Sequence, residues 1–486
     1  MAKNKRKPKR PQPQHKKSKA SRHDKRARLD TPNPHRRATT QAKFPLVGTL
    51  AAAVATLSTA LDARIAFRLS IIISGMFLAD GRTTASAWFM AAGVLDDWDR
   101  FYDCLISVGR NSSDLATVVL KLVAGKFNPG PNGRFVVAVD DSPTKRYGAK
   151  VEGAGVHHNP TPGPAEGEWL YGHNWVALAL LVTHPSWGTV ALALQSLLYV
   201  REIDVPKLAE KYDWKFRTKH QLAVELVLWF ESTIRPLGMT CEVWAVADGA
   251  YAARPFLDPL VKKGIVVVSR LRKDAALFDE PAARQPGQRG RPRIYGDKLS
   301  LAKRAGHPGG WQPITYKSRG GEVTRQHKTF VAKSGMVDGV IRVVIVRFED
   351  GGWIPYFCTK STVEVCDILE VAAARWAIEE HFHDVKEVWG AGEQQVRNVW
   401  SNIGCWNMSQ WVYTLVELCS WDKEKSELTD RSDRPWDNVD RRPSHADRRR
   451  RIAREMLRES FPTTPLPPLE VEKFRAHAEA LYGLCA

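Results

Sequence analysis

The stretch ARWAIEEHFHDVKEVW, Ala374–Trp389, decides how the rest of the chain is read. It has no Gly or Pro and is dense in helix formers, which predicts a helix. Arg375, Glu379 and Lys386 fall at i, i+4 and i+11, spacings that bring side chains to about the same side of a helix. Trp376, Ile378, Phe382 and Val385 mostly take other sides, as suits a helix packed on a sheet with its polar edge at an open site. A carboxylate flanked by two cations can hold a metal ion while the cations hold phosphates. The same spacing also describes a solvated, salt-bridged helix, so the remaining sequence has to choose.

Upstream, Arg134–Val139 is an apolar run ending in Asp140 and Asp141, which predicts a buried strand delivering carboxylates at its C-terminal end. The runs Trp175–Val182 and Thr189–Leu198 complete a three-strand meander. The long loop 142–174 between the first two strands carries Lys145, Arg146, His157, His158 and His173. Next come a helix at Lys219–Ile234, a strand at Glu242–Ala247 running into Asp248, a helix at Tyr251–Lys263 and a short strand at Ile265–Leu271. Three strands, helix, strand, helix, strand is an α/β pattern: a mixed sheet with helices in the order of ribonuclease H-like folds.

The expected organisation is a disordered basic tail (1–42), a helical domain suited to DNA binding (43–125), the first part of the ribonuclease H-like core (134–271) and a β-rich insertion (272–365). The rest of the core with the Glu379 helix (366–421) and a loosely ordered basic extension (422–486) follow. In the N-terminal helical domain, Thr83 is read as the cap of a second helix reaching Val94. Helix, turn, helix is the outline of DNA-reading modules and equally of any helical bundle. The insertion contains Arg289-Gly290-Arg291-Pro292-Arg293, a run of the kind that lies in an A·T-rich minor groove and also of the kind found in solvated loops. A last small helix is expected near 470–482.

Three acids then stand out: Asp140 and Asp248 at strand ends and Glu379 on a helix. Carboxylates that converge in this way bind two divalent ions. One activates a water or a 3′-hydroxyl, the other stabilises the leaving oxygen, and displacement at phosphorus is in line. An Asp after a strand also serves as a turn or helix cap.

At these residues the sequence resembles the DDE transposases of bacterial insertion sequences, the cut-and-paste group with a Tyr-x2-Arg-x3-Glu-x6-Lys signature. Arg375, Glu379 and Lys386 match it, while the Tyr position holds Ala372. Trp376, Ile378 and Glu380, the strand-Asp-Asp-Ser segment at Asp140, Gly172-His173-Asn174-Trp175 and Ala247-Asp248-Gly249-Ala250-Tyr251 are also similar to the family. The resemblance implies a ribonuclease H-like core interrupted by a β-rich insertion, with Asp140, Asp248 and Glu379 as catalytic, metal-binding triad. Asp141 competes with Asp140 for the first position. It further implies two Mg²⁺ ions, with Mn²⁺ able to substitute, and Arg375 and Lys386 on phosphates near the cleaved end. Trp353 looks like the Trp that stacks on a flipped base, and Lys145 and Arg146 are further DNA-contact candidates. The implied reaction cuts an element at its ends and joins it to target DNA. The implied partners are double-stranded DNA and a second copy of the chain, in the bacterial cytoplasm near the nucleoid.

Composition agrees with a nucleic-acid partner. Between Met1 and Thr40 there are fifteen Lys and Arg against two Asp, so the tail carries +13 of the formal net +19 and the remainder +6. Such an arm favours polyanions. Seven scattered Cys without a CxxC pair point to a reducing interior. The chain shows neither a secretion-signal pattern nor a membrane-spanning run. Two other readings use the same residues. One is a DNA-binding protein that keeps the fold without catalysis. The other is a zinc hydrolase built from His157, His158, His173, His381 and His383, whose spacing matches no standard zinc motif.

Overall fold

Helical periodicity in the N-terminal domain becomes α1 (Gly48–Leu57), α2 (Ala63–Leu78), α3 (Ala85–Ala91), α4 (Trp98–Arg110) and α5 (Ser112–Lys126). Asp62 caps α2 by accepting from the Arg64 and Ile65 amides. The α3 cap is Thr84, not Thr83: the Thr84 side chain accepts from the Ala87 amide, whereas the Thr83 hydroxyl donates to Glu393 at 2.6 Å and ties this region to the distant loop. The computed structural model describes residues 45–159, 162–163, 167–284, 289–319, 321–429, 436–438, 440–460, 472–473 and 476–477. The basic tail, and most of the helix expected near 470–482, lie outside the described residues.

The core follows as β1 (Arg134–Lys145), β2 (Gly155–His158), β3 (Trp169–His184), β4 (Gly188–Tyr199), α6 (Val205–Tyr212), α7 (Lys219–Ile234), β5 (Glu242–Ala247), α8 (Arg254–Lys262) and β6 (Val266–Arg270). β4 pairs antiparallel with β3 and β3 antiparallel with β1, while β1, β5 and β6 run parallel. This is the ribonuclease H-like order. The loop expected over 142–174 is shortened from both ends, because β1 and β3 keep pairing from Val136↔Leu181 to Lys145↔Gly172, and β2 lies within it.

The insertion supplies β7 (Leu277–Phe278), β8 (Lys298–Leu299), α9 (Leu301–Gly306), β9 (Gln312–Ser318), β10 (Gly321–Ser334), β11 (Val337–Arg347) and β12 (Trp353–Cys358). Because β12 pairs antiparallel with β6, the inserted strands prolong the core sheet, giving the order β2-β3-β1-β5-β6-β12-β11-β10-β7-β8.

The chain closes with α10 (Val365–Ala374), α11 (Trp376–Trp389), α12 (Val399–Ser420), α13 (Lys425–Leu428) and α14 (His445–Ser460). The helix predicted over Ala374–Trp389 is thus α11 preceded by α10, with Arg375 at the junction. Gly390, at φ +59°, ends α11 in the left-handed conformation that Gly adopts without a steric penalty. Almost all of α12 is buried, polar residues included. The reason is the edge of β4 that no described strand pairs: Trp411 donates to the Leu194 carbonyl (2.7 Å), Thr414 to that of Ala193 (2.8 Å), and Asn407 both accepts from the Ser196 amide and donates to its carbonyl. Side chains of a helix here satisfy backbone groups that a further strand would otherwise pair. α12 crosses α4 where Gly404 and Gly109 meet, and a Cβ on Gly109 would lie 1.8 Å from the Trp400 carbonyl oxygen.

The basic segment after Asp422, expected to be loosely ordered, contains α14, docked through buried charges. Glu417 of α12 accepts from His445 (2.6 Å) and Arg448 (3.3 Å). Burial pushes the Glu417 carboxyl up, but the Arg448 charge and the His445 hydrogen bond outweigh it and hold it below the usual range.

Candidate active site

β1 does not end at Asp140 and Asp141. On one side it stays paired with β3 as far as Lys145, whereas parallel β5 stops at Ala247, opposite Val139. The two acids therefore stand where the sheet opens on one flank, and Asp248 is the next residue after β5. Alternation along the strand sends the two side chains to opposite faces. The Asp140 carboxylate accepts from the Asp141 amide (2.8 Å) and from Arg375 Nη1 (2.9 Å). Asp141 instead accepts from Lys219 Nζ (2.7 Å) and the Tyr251 hydroxyl (3.2 Å).

Arg375 joins the first and third acids. Its Nη2 donates to Glu379 one turn further along α11, so one guanidinium spans Asp140 and Glu379. Burial works against the Arg375 cation, but the charges of Asp140 and Glu379 prevail and raise its pKa. The Asp140 carboxyl is pushed up to about 7, mainly by burial; Arg375 opposes this, while Asp141 and Asp248 add to it. Tyr251 is buried, and its phenol is held well above its ordinary value by burial and then by Asp141 and Asp140.

Lys386 lies eleven residues beyond Arg375, about 16 Å along the helix, and faces a different cleft. That cleft, of about 1200 Å³, is lined by Lys145, Arg146, Lys386, Arg82, Arg397 and Tyr147, the last 93% exposed. Burial pushes the Lys386 ammonium below its ordinary pKa. Arg146 is 7% exposed, and its guanidinium is committed inside the fold to His173 (3.2 Å), the Gly392 carbonyl and Asn402 (2.7 Å). Trp353 opens β12, half-buried, with the Lys273 ammonium 4.8 Å above its ring. The histidines are dispersed: His381 is fully buried on α11 and His383 exposed, while His157 and His173 sit in the β2–β3 region.

Sequence reasoning did not single out Lys219 and Tyr251 as site residues. Tyr251 stood in the quoted Ala247–Tyr251 run, but nothing in its spacing announced that its hydroxyl would fold back onto Asp141. Among the described residues, no three His, Cys, Asp or Glu side chains form a group arranged to hold a metal ion. Around Asp140 the donors are nonetheless hard carboxylate oxygens carrying surplus negative charge, and a cation already bridges two of them. That chemistry fits a divalent ion.

Residues 56–329, more than half of the chain, match the model of the DDE superfamily endonucleases, and the chain belongs to that family. Endonucleases of this superfamily generally use divalent metal ions. The matched span includes Asp140 and Asp248 and stops before Glu379. No protein of curated function matches the sequence. Among solved structures the chain is similar to the piggyBac transposase in its synaptic complex with hairpin DNA. The sequence identity is 9% and the TM-score 0.35, over 85% of this chain and 75% of that one.

Proposed function

We propose that the chain is a DNA transposase that cuts an insertion-sequence element at its ends and joins it to target DNA by phosphoryl transfer, with Asp140, Asp248 and Glu379 as the metal-holding acids. The observation that carries the assignment is the shared guanidinium: Arg375 bonds both Asp140 and Glu379, while Asp248 follows the strand beside Asp140. The same geometry favours Asp140 over Asp141, whose carboxylate is turned to Lys219 and Tyr251 on the other face. Bound there, two divalent ions, Mg²⁺ or Mn²⁺, would supply activation of a water or 3′-hydroxyl and charge stabilisation at phosphorus.

The chain's own residues position the DNA. Lys145 and Lys386 face one cleft, where their ammonium groups can hold backbone phosphates. Arg146 braces that cleft from within. Arg375, released from one carboxylate, is placed to contact a phosphate next to the acids. Trp353 offers a ring for an unpaired base, and loss of the signature Tyr at Ala372 leaves the remaining Arg, Glu and Lys to hold the end. Two ends have to be cut in concert, so the working form is a homodimer on double-stranded DNA in a bacterial cytoplasm.

The test is a cleavage assay on labelled DNA carrying the ends of the chain's own element, with and without Mg²⁺, beside Asp248→Ala and Glu379→Ala. Metal-dependent cuts at the element boundary, lost in both variants while binding persists, are expected. Binding of those ends by the wild type without cutting under any divalent metal would replace this reading with that of a DNA-binding protein that has kept the fold and lost catalysis.

A further inference from the structure

The stretch leading into β8 is held where it meets β7 and carries an exposed basic run, Arg289–Arg293, further out. β7 and β8 pair as Leu277↔Leu299 and Phe278↔Lys298. The ladder continues through the Asp279 amide to the Asp297 carbonyl (2.8 Å) and the Gly296 amide to the Asp279 carbonyl (2.9 Å). Tyr295 lies against Phe278 with ring centroids 4.8 Å apart, and Leu277 and Leu299 are buried. Beyond this base, Arg289, Gly290, Arg291, Pro292 and Arg293 are all exposed. None of these three guanidiniums has a carboxylate within ion-pair distance among the described residues, whereas Arg272 and Asp274, nearby in sequence, do pair, at 2.9 Å.

Backbone chemistry sets the shape of this run. Gly290 takes φ +97°, with open space where a Cβ would be, and its carbonyl accepts from Arg284 (3.2 Å). Pro292 fixes its own φ and drives Arg291 towards extended geometry. The arginines thus alternate with two residues of little bulk, Gly290 and Pro292, through a bend of the backbone at Gly290 and Arg291.

We propose that Arg289, Arg291 and Arg293 form a second DNA contact, which inserts into the minor groove of A·T-rich duplex. Three like charges within five residues repel one another in the free protein, and a polyanion removes that cost. The narrow A·T minor groove concentrates negative potential and attracts Arg. Its floor offers only adenine N3 and thymine O2 acceptors, which suit guanidinium donors, while the guanine amino group interrupts a G·C floor. β8 ends the sheet path and lies six strand spacings from β5, on the order of 30 Å. The contact is therefore separate from the carboxylate site and independent of whether that site cuts.

The experiment measures binding of the full chain to short duplexes of equal length, one all A·T and one all G·C, at raised salt that suppresses contacts to phosphate alone. Wild type, a triple Arg→Ala variant at 289, 291 and 293, and a triple Arg→Lys variant are compared, with netropsin as minor-groove competitor. We expect the wild type to prefer the A·T duplex about tenfold, and both variants and netropsin to abolish the preference. Unchanged circular dichroism and unfolding midpoints would show that the variants fold. A wild type without A·T preference, an Ala variant that keeps it, or a Lys variant equal to wild type would each overturn the proposal. The last outcome would leave only charge attraction to phosphate.

Discussion

Asp140 illustrates how one residue's environment is set by neighbours distant in sequence. Its carboxyl, 18% exposed in the side chain, is pushed up to about 7 by burial against the pull of Arg375. Its ordinary value is about 3.9. Between those values the folded chain holds a proton that the unfolded chain has released, so this group's contribution to stability declines as pH rises from about 4 to 7. Asp140→Asn is expected to flatten that part of the stability–pH profile and to raise the thermal midpoint at pH 8, as read by calorimetry across pH. An unchanged slope would mean that Asp140 is ionised throughout. The role proposed for Asp140 was half legible in the sequence. The acid pair at the end of an apolar run could be seen, but which member faces Glu379 is decided by strand alternation and by the position of Arg375.

α14 shows what one element does for two others. Arg449 donates to the Val388 carbonyl (3.0 Å) at the end of α11, and to the Met76 (3.2 Å), Phe77 (3.3 Å) and Ala79 (3.0 Å) carbonyls at the end of α2. A cation at two helix C-termini satisfies orphan carbonyls and complements both dipoles. It also ties the N-terminal helices to the helix that carries Glu379. Arg449→Ala is expected to cost about 1.5–3 kcal/mol of stability, measured by urea unfolding, with Arg449→Lys recovering part of it. A loss within about 0.5 kcal/mol, the range of an ordinary surface change, would show that α14 is held by its other contacts. The four consecutive arginines Arg448–Arg451 fall in the extension expected to be loosely ordered, because composition does not reveal acceptors supplied by remote helix ends.

Along the whole chain the basic charge is divided between residues 1–42 and the remainder, and the two are expected to act differently on DNA. Deleting residues 1–42 should weaken binding at low salt and reduce the slope of log K against log salt by about 0.9 for each phosphate that the tail neutralises, while leaving any metal-dependent cut at the same position. A cut that moves or vanishes would assign the tail a part in end recognition. The sequence by itself determined the α/β class, the succession of strands and helices around Asp140 and Asp248, the helix bearing Glu379 and the charge asymmetry, because these follow from local hydrophobic periodicity, turn residues and counting. Tertiary structure alone decided the rest. Burial and partner geometry committed Arg146 to the interior, placed Arg375 rather than Lys386 at the acids, turned Asp141 to Lys219 and Tyr251, and wove the insertion into the core sheet through β12 and β6. Such outcomes depend on which distant groups meet in a low-dielectric interior, a relation that no local window of sequence contains.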